Sequence, residues 1–158
     1  MGRKVILGIG NILNSDEGLG VHALRVLGGR LGPGAQVDLV DGGVLGLDLL
    51  PLVEDCSHLL VLDAVNAGQP AGTIVELGRD EIPLYSGVKL SQHQVTFQEV
   101  LALANLRGNL PPYLHLIGVQ PADLAMSTEL SPVIAGTLVD VAERSVRQLR
   151  KWGLLSAL

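Results

Sequence analysis

The residues of this chain that could do chemistry are acids and one imidazole. Asp16-Glu17, Asp41 and Asp63 each stand at or just beyond the end of an aliphatic run, and His93 follows a long polar stretch. Asp63 directly follows Leu59-Leu60-Val61-Leu62, the most apolar tetrapeptide in the chain, where a strand disfavours aspartate. Carboxylates gathered out of water repel one another, and their desolvation is costly unless a cation or a shared proton compensates. One imidazole with two or three carboxylates therefore suits a divalent metal that likes oxygen and nitrogen, such as Mn, Ni or Zn, or an acid pair that shares a proton. Each residue also has a plainer use. Asp16 serves as an N-cap for a helix starting near Gly18, Glu17 as a favourable charge at its positive end, Asp41-Gly42-Gly43 as an ordinary turn, and His93 as a loop histidine bonded to backbone. His22, His58 and His115 are expected to be structural or exposed, and Cys56 a packing residue at a helix end.

What must position these acids is an alternation of strands and helices. Residues 5–9 form an aliphatic run ending in Gly10-Asn11, as a strand buried on both faces would. A helix over 19–31 follows, with Leu19, Ala23, Val26 and Leu27 at helical spacing, closed by Gly-Pro-Gly at 32–34. A second strand over 36–40 stops at Asp41-Gly42-Gly43, a short helix covers 45–53, and the run 59–62 is a central strand ending at Asp63. Residues 73–77 read as an edge strand, 79–91 as a polar loop, and 95–106 as a helix with Val100, Leu103, Ala104 and Leu106 inward. The last strand covers 113–119 and ends at Gln120-Pro121. A final helix starts with Ser131 as N-cap and Pro132 at its first position and continues to Trp152-Gly153. Such alternation predicts a three-layer α/β fold, a mainly parallel twisted sheet of about five strands flanked by helices, with the whole chain, 1–158, as one domain. In a sheet of this kind ligands bind outside the carboxyl ends of the strands, the edge on which all of these acids fall.

Composition removes several classes of function. Apolar residues make up 47% and charged residues 17%, which excludes a disordered chain, and 20 glycines without a period exclude collagen and repeat arrays. A net charge of −5, with no basic cluster larger than Arg147 to Lys151, argues against a nucleic-acid partner. Charges or Gly, Pro and Asn break every apolar run well short of a membrane span, and the basic start lacks a cleavage site, so a soluble cytoplasmic protein is expected. The single cysteine excludes an internal disulfide and a multi-thiolate metal site. Gly8-Ile9-Gly10 begins like a dinucleotide fingerprint, but Leu13 occupies the position of the third glycine. No phosphate loop, zinc-binding His-Glu-x-x-His helix or serine nucleophile elbow is present.

The segment Gly8-Ile9-Gly10-Asn11-Ile12-Leu13-Asn14-Ser15-Asp16-Glu17-Gly18-Leu19-Gly20 resembles the signature of the hydrogenase maturation endopeptidases. The resemblance continues through Asp41-Gly42-Gly43, Leu60-Val61-Leu62-Asp63-Ala64, Ser91-Gln92-His93, Ile117-Gly118-Val119-Gln120-Pro121 and Leu130-Ser131-Pro132, so it covers nearly the whole chain in order. It implies an endopeptidase that removes a short C-terminal extension from the large-subunit precursor of a nickel-iron hydrogenase after nickel insertion. The implied metal ligands are Glu17, Asp63 and His93, with nickel arriving in the substrate, and the implied substrate contacts are Asn11, Asp41, Gly42 and Gly43. No motif positions a Ser or Cys nucleophile, so water is the expected attacking group. Either the nickel assists, with Glu17 or Asp63 as base, or an aspartic-type pair works, Asp63 with Asp16 or Asp41. A monomer acting on the precursor is expected. Two other classes stay open on the sequence alone: a non-catalytic accessory protein that checks nickel, and a nucleotide-binding α/β enzyme.

Overall fold

Strands that are aliphatic on both sides need cover on both faces, and the runs at 5–9 and 59–62 become neighbouring interior strands of a sheet with helices on each side. The computed structural model describes residues 2–32, 34–44, 46–82 and 92–155, without the side chains of residues 92–96. In chain order the elements are β1 (Arg3–Ile9), a 3-10 turn (Ser15–Gly18), α1 (Leu19–Arg30), β2 (Asp38–Gly43), a second 3-10 turn (Gly46–Leu49), α2 (Leu50–Asp55), β3 (Cys56–Ala64), β4 (Ile74–Gly78), α3 (Gln92–Leu106), β5 (Tyr113–Val119), α4 (Pro132–Ala135) and α5 (Leu138–Lys151). The sheet order is β2-β1-β3-β5-β4; all pairings are parallel except the edge strand β4 against β5.

Side chains alternate across the strands and divide the core in two. Val5, Leu7, Ile9, Leu59 and Val61 pack with Val53 of α2 and with Phe97, Val100 and Leu101 of α3. Ile6, Leu60, Leu62 and Ala64 pack on the other face with Leu19, Ala23 and Leu27 of α1 and with Val141, Ala142 and Leu149 of α5. By this period of two, Asp63 falls on the face covered by α3. β1 leads through α1 to β2 on one side, whereas α2, on the opposite face, returns the chain to β3 on the other. The crevice between the carboxyl ends of β1 and β3 is therefore the topological switch point.

Several expectations about helices change: the short helix expected over 45–53 divides into the second 3-10 turn and α2, and α3 starts at Gln92, three residues before the expected 95. The predicted final helix is broken: α4 stops at Gly136, Thr137 turns its hydroxyl onto the Ile134 carbonyl (2.7 Å), and α5 begins at Leu138. In α3 the inward residues are Phe97, Val100, Leu101 and Ala104, while Leu103 and Leu106 are exposed. This helix carries apolar residues around most of its circumference, so spacing alone does not choose the buried stripe. The loop expected over 79–91 lies outside the described residues from 83 onward.

Candidate active site

The turn after β1 brings Glu17 and Asp63 to one place through a glycine. Gly10 has φ +129°, a conformation that favours glycine, and a Cβ built on it would stand 1.8 Å from the Glu17 carbonyl oxygen and 3.7 Å from Asp63 Oδ1. The backbone of Glu17 and the carboxylate of Asp63 thus flank the same glycine, at the switch point between β1 and β3. Both acids are buried, Glu17 to 6% exposure and Asp63 to 2%, and Asp63 Oδ1 accepts the amide of Ala64 at 2.8 Å. Beside them lies a cleft of about 210 Å³ lined by Glu17, Ala64, Asn66, Gln120, Pro121, Ala122 and Leu124. A larger cavity of about 510 Å³ lies at the opposite end of the sheet, beside Arg30, Val146, Arg150 and Leu154. It has no acid or histidine in its lining, whereas the smaller cleft is bordered by Glu17.

His93 is the second residue of α3, in its first turn and not in a preceding loop; its side chain lies outside the described residues. It belongs to the helix that covers the Asp63 face, and Phe97, one turn on, lines a small apolar cavity with Asp63 and Leu101. Among the described residues no group of three His, Cys, Asp or Glu stands close enough to hold a metal. The other histidines are engaged elsewhere. His58 stacks on Tyr113 with ring centroids 4.4 Å apart and has its Nδ1 2.8 Å from the Ser57 hydroxyl, and His115 Nε2 is 2.9 Å from Glu76 Oε1. Burial and the nearby Arg25 hold His22 below the usual imidazole range, with its Nε2 buried and lacking a hydrogen-bond partner among the described residues.

Asp16 neither caps α1 nor lines the cleft. Its Oδ2 accepts the amides of Ala122 and Asp123 and the hydroxyl of Ser131, and its Oδ1 accepts the Ser131 amide, each at 2.8 Å. Burial pushes this carboxyl up, but hydrogen bonds from the Ser131 amide, Asp123, the Ser131 hydroxyl and Ala122 together outweigh it and hold Asp16 below its ordinary value. Ser131 keeps the extended backbone of an N-cap while its hydroxyl turns to Asp16 and not back onto the helix.

The remaining expected contacts shape the edge. Asn11 Oδ1 accepts the Leu13 amide at 2.9 Å, and Asp41, exposed, accepts the Gly43 amide at 2.9 Å. Gly43 has φ +48° and its carbonyl accepts the Gly10 amide at 3.0 Å, which ties the end of β2 to the glycine beside Asp63. Asp41-Gly42-Gly43, expected as a turn after a strand ending at 40, instead forms the last three residues of β2, which starts at Asp38, and β1 separates that strand from the one carrying Asp63. Gly8 and Gly20 serve packing and not a pyrophosphate. A Cβ on Gly8 would meet the Gly20 carbonyl oxygen at 2.6 Å, and one on Gly20 would meet that of Leu62 at 2.1 Å, so α1 lies directly on the sheet. Gln120, which the sequence places just past the last strand on this edge, lines the cleft together with Asn66: Gln120 Oε1 accepts the amides of Ala67 (2.7 Å) and Gln69 (3.2 Å) and its Nε2 donates to Asn66 Oδ1 (3.2 Å). Position at a strand end was the available signal for Gln120; for Leu124 there was none.

The chain and its fold are similar to those of known proteins. The family model for hydrogenase maturation proteases of the HycI type matches residues 21–148, a span that starts after the Gly8 to Gly20 motif. The hydrogenase expression/formation protein HupD of Rhodobacter capsulatus is 42% identical over 154 residues, covering 96% of this chain and 73% of that protein. The hydrogenase 2 maturation protease of Escherichia coli is 33% identical over 153 residues, covering 96% and 93%. The solved structure of the hydrogenase maturating endopeptidase HybD from Escherichia coli superposes with a TM-score of 0.87 at 32% identity, over 96% of this chain and 94% of that one. The five-stranded α/β fold is thus that of the maturation endopeptidases, and the chain belongs to the hydrogenase maturation protease family. No helix among the described residues is long and apolar enough to cross a membrane.

Proposed function

We propose that this protein is a cytoplasmic, monomeric endopeptidase that removes the C-terminal extension of a nickel-iron hydrogenase large-subunit precursor once nickel is in place, recognising the nickel through Glu17, Asp63 and His93. The observation that carries the reading is that two buried acids meet at the switch point: the backbone of Glu17, a residue that lines an open cleft, and the carboxylate of Asp63 lie on either side of Gly10. Two carboxylates and an imidazole are a hard donor set. Such a set competes poorly with thiolates for ownership of nickel, yet can complete the coordination of nickel that the precursor's cysteines already hold. The substrate's nickel supplies Lewis acidity at the scissile carbonyl or at the attacking water. Glu17, on the cleft wall, or Asp63 accepts the water proton. Asp16 stays out of proton transfer in this reading, because four hydrogen bonds occupy its carboxylate and favour its charged form. Asp41, Gly42 and Gly43 at the end of β2, with Asn11, border the path of the substrate chain.

Intact-mass measurement after incubation with nickel-loaded precursor tests the reaction, and loss of the extension is expected. A crystal soaked with Ni or Cd tests the ligands. Metal is expected within about 2.0 to 2.6 Å of an oxygen of both acids and a nitrogen of His93; metal at His22, His58 or His115 instead would overturn the assignment.

A further inference from the structure

We propose that Leu13, Leu124 and Met126 form an apolar lip that receives a nonpolar stretch of the polypeptide substrate beside the acid pair, and that Asp16 is the positioning residue that holds this lip in place. The proposal rests on the reading of the chain as a precursor-processing endopeptidase and adds where the substrate chain lies. Leu13, Leu124 and Met126 are 55%, 50% and 90% exposed. Single exposed aliphatics are ordinary on a protein surface, but these three are grouped by backbone pairing. Asn14 and Ser127 form a parallel bridge, the Ser127 amide donates to the Leu13 carbonyl at 2.9 Å, and the Ser15 amide donates to the Ser127 carbonyl at 2.9 Å. Leu13 and Met126 each stand one residue before the bridge, side by side across it. Leu124, two residues before Met126 in the same loop, is itself part of the cleft lining with Glu17, so the lip continues into the site.

The segment bearing Leu124 and Met126 is fastened at alternate positions. The Asp16 amide donates to the Asp123 carbonyl at 3.0 Å, the Ser15 hydroxyl to the Ala125 carbonyl at 2.7 Å, and Ser127 is held by the bridge. Leu124 and Met126 fall between these ties. Beneath them the Asp16 carboxylate, fully buried, anchors Ala122, Asp123 and Ser131. A buried carboxylate is a costly way to fix a surface loop. What it secures is a rigid ledge of large apolar side chains, and a preorganised ledge spares a bound chain the ordering cost that a loose loop would impose. A nonpolar polypeptide segment is the occupant the chemistry fits, because the lip offers no cation and ends at a cleft containing Glu17.

The test compares wild type with the Leu124→Ser/Met126→Ser double variant, Asp16→Asn, Ser131→Ala and a control, Leu106→Ser, which removes a highly exposed leucine from the far end of α3. KM and kcat are measured on nickel-loaded precursor across pH, with self-association followed by sedimentation. The double variant should raise KM about tenfold or more with kcat within about twofold, since lost apolar contacts weaken binding and not chemistry. Asp16→Asn should raise KM and keep the shape of the kcat–pH profile. If it does not fold, Ser131→Ala, which deletes one tie, should move KM in the same direction by less. Leu106→Ser should match wild type. Unchanged KM in the double variant, with wild type active, overturns the lip and leaves the proposed reaction standing. So does a wild-type dimer that the double variant dissolves without any change in KM. Loss of one limb of the pH profile in Asp16→Asn overturns its positional role, and a wild type that never cuts the precursor overturns both proposals.

Discussion

Asp16 and Ser131, 115 residues apart in sequence, are joined twice: the serine amide donates to Oδ1 and the serine hydroxyl to Oδ2, both at 2.8 Å. The pair locks the turn after β1 to the approach of α4, across the mouth of the site. Because the folded state holds the Asp16 carboxyl below its ordinary value, ionised Asp16 stabilises the fold at neutral pH. That contribution is lost as pH falls through the depressed folded value. Asp16→Asn, which forfeits the charge and much of the accepting capacity, should therefore be less stable than wild type by roughly 3 kcal/mol at pH 7. The gap should narrow once pH falls below the ordinary aspartate range, where the unfolded chain takes up the proton first, and close as pH falls through the depressed folded value. Urea midpoints measured from pH 7 to pH 3 give the answer; a constant gap would contradict the assignment.

Two glycines of α1 should respond in opposite ways to alanine. At Gly20 a Cβ would stand 2.1 Å from the Leu62 carbonyl oxygen and 2.4 Å from that of Ile9, backbone atoms that cannot yield without lifting the helix. At Gly29 nothing lies within 4 Å. Gly29→Ala should gain about 0.5 to 1 kcal/mol from helix propensity, a rise of roughly 2 °C or more in melting temperature. Gly20→Ala should lose about 3 kcal/mol or fail to fold. Thermal melts of the two variants check this directly.

Cys56, the first residue of β3, is buried, and its thiol is pushed up to about 11, chiefly by desolvation. The thiolate is the reactive form, so at pH 8 the native protein should resist alkylation while the urea-unfolded chain is modified fully. Rapid labelling of folded protein, read by mass, would contradict the buried placement.

The candidate site was legible where the sequence rule was local. An aspartate directly after four aliphatics, and an acid pair just past a glycine-ended strand, mark Asp63 and Glu17 without any knowledge of tertiary contacts, since strand ends in a parallel sheet share one edge. The work of Asp16 was not legible. Its partners are three backbone amides and one hydroxyl more than 100 residues away, and amides carry no signature in a sequence. Leu124 was hidden for the same reason, because its exposure at the cleft depends on that anchor. In α3 the apolar surplus left the buried stripe undecided, and in the last helix an unbroken apolar phase from Ile134 to Leu149 concealed the break at Gly136-Thr137.

The central claim is that cleavage is gated by nickel in the substrate and carried out at the Glu17–Asp63 pair. Four reactions test it: wild type and Asp63→Asn, each with nickel-loaded and nickel-free precursor, read by intact mass. Asp63→Asn keeps the side-chain volume at the end of β3 and should remain folded. Loss of the C-terminal extension is predicted only for wild type with loaded precursor, the variant being slower by about a hundredfold or more. Equal cutting of nickel-free precursor by the wild type would contradict the gating, and undiminished cutting by Asp63→Asn would contradict the site.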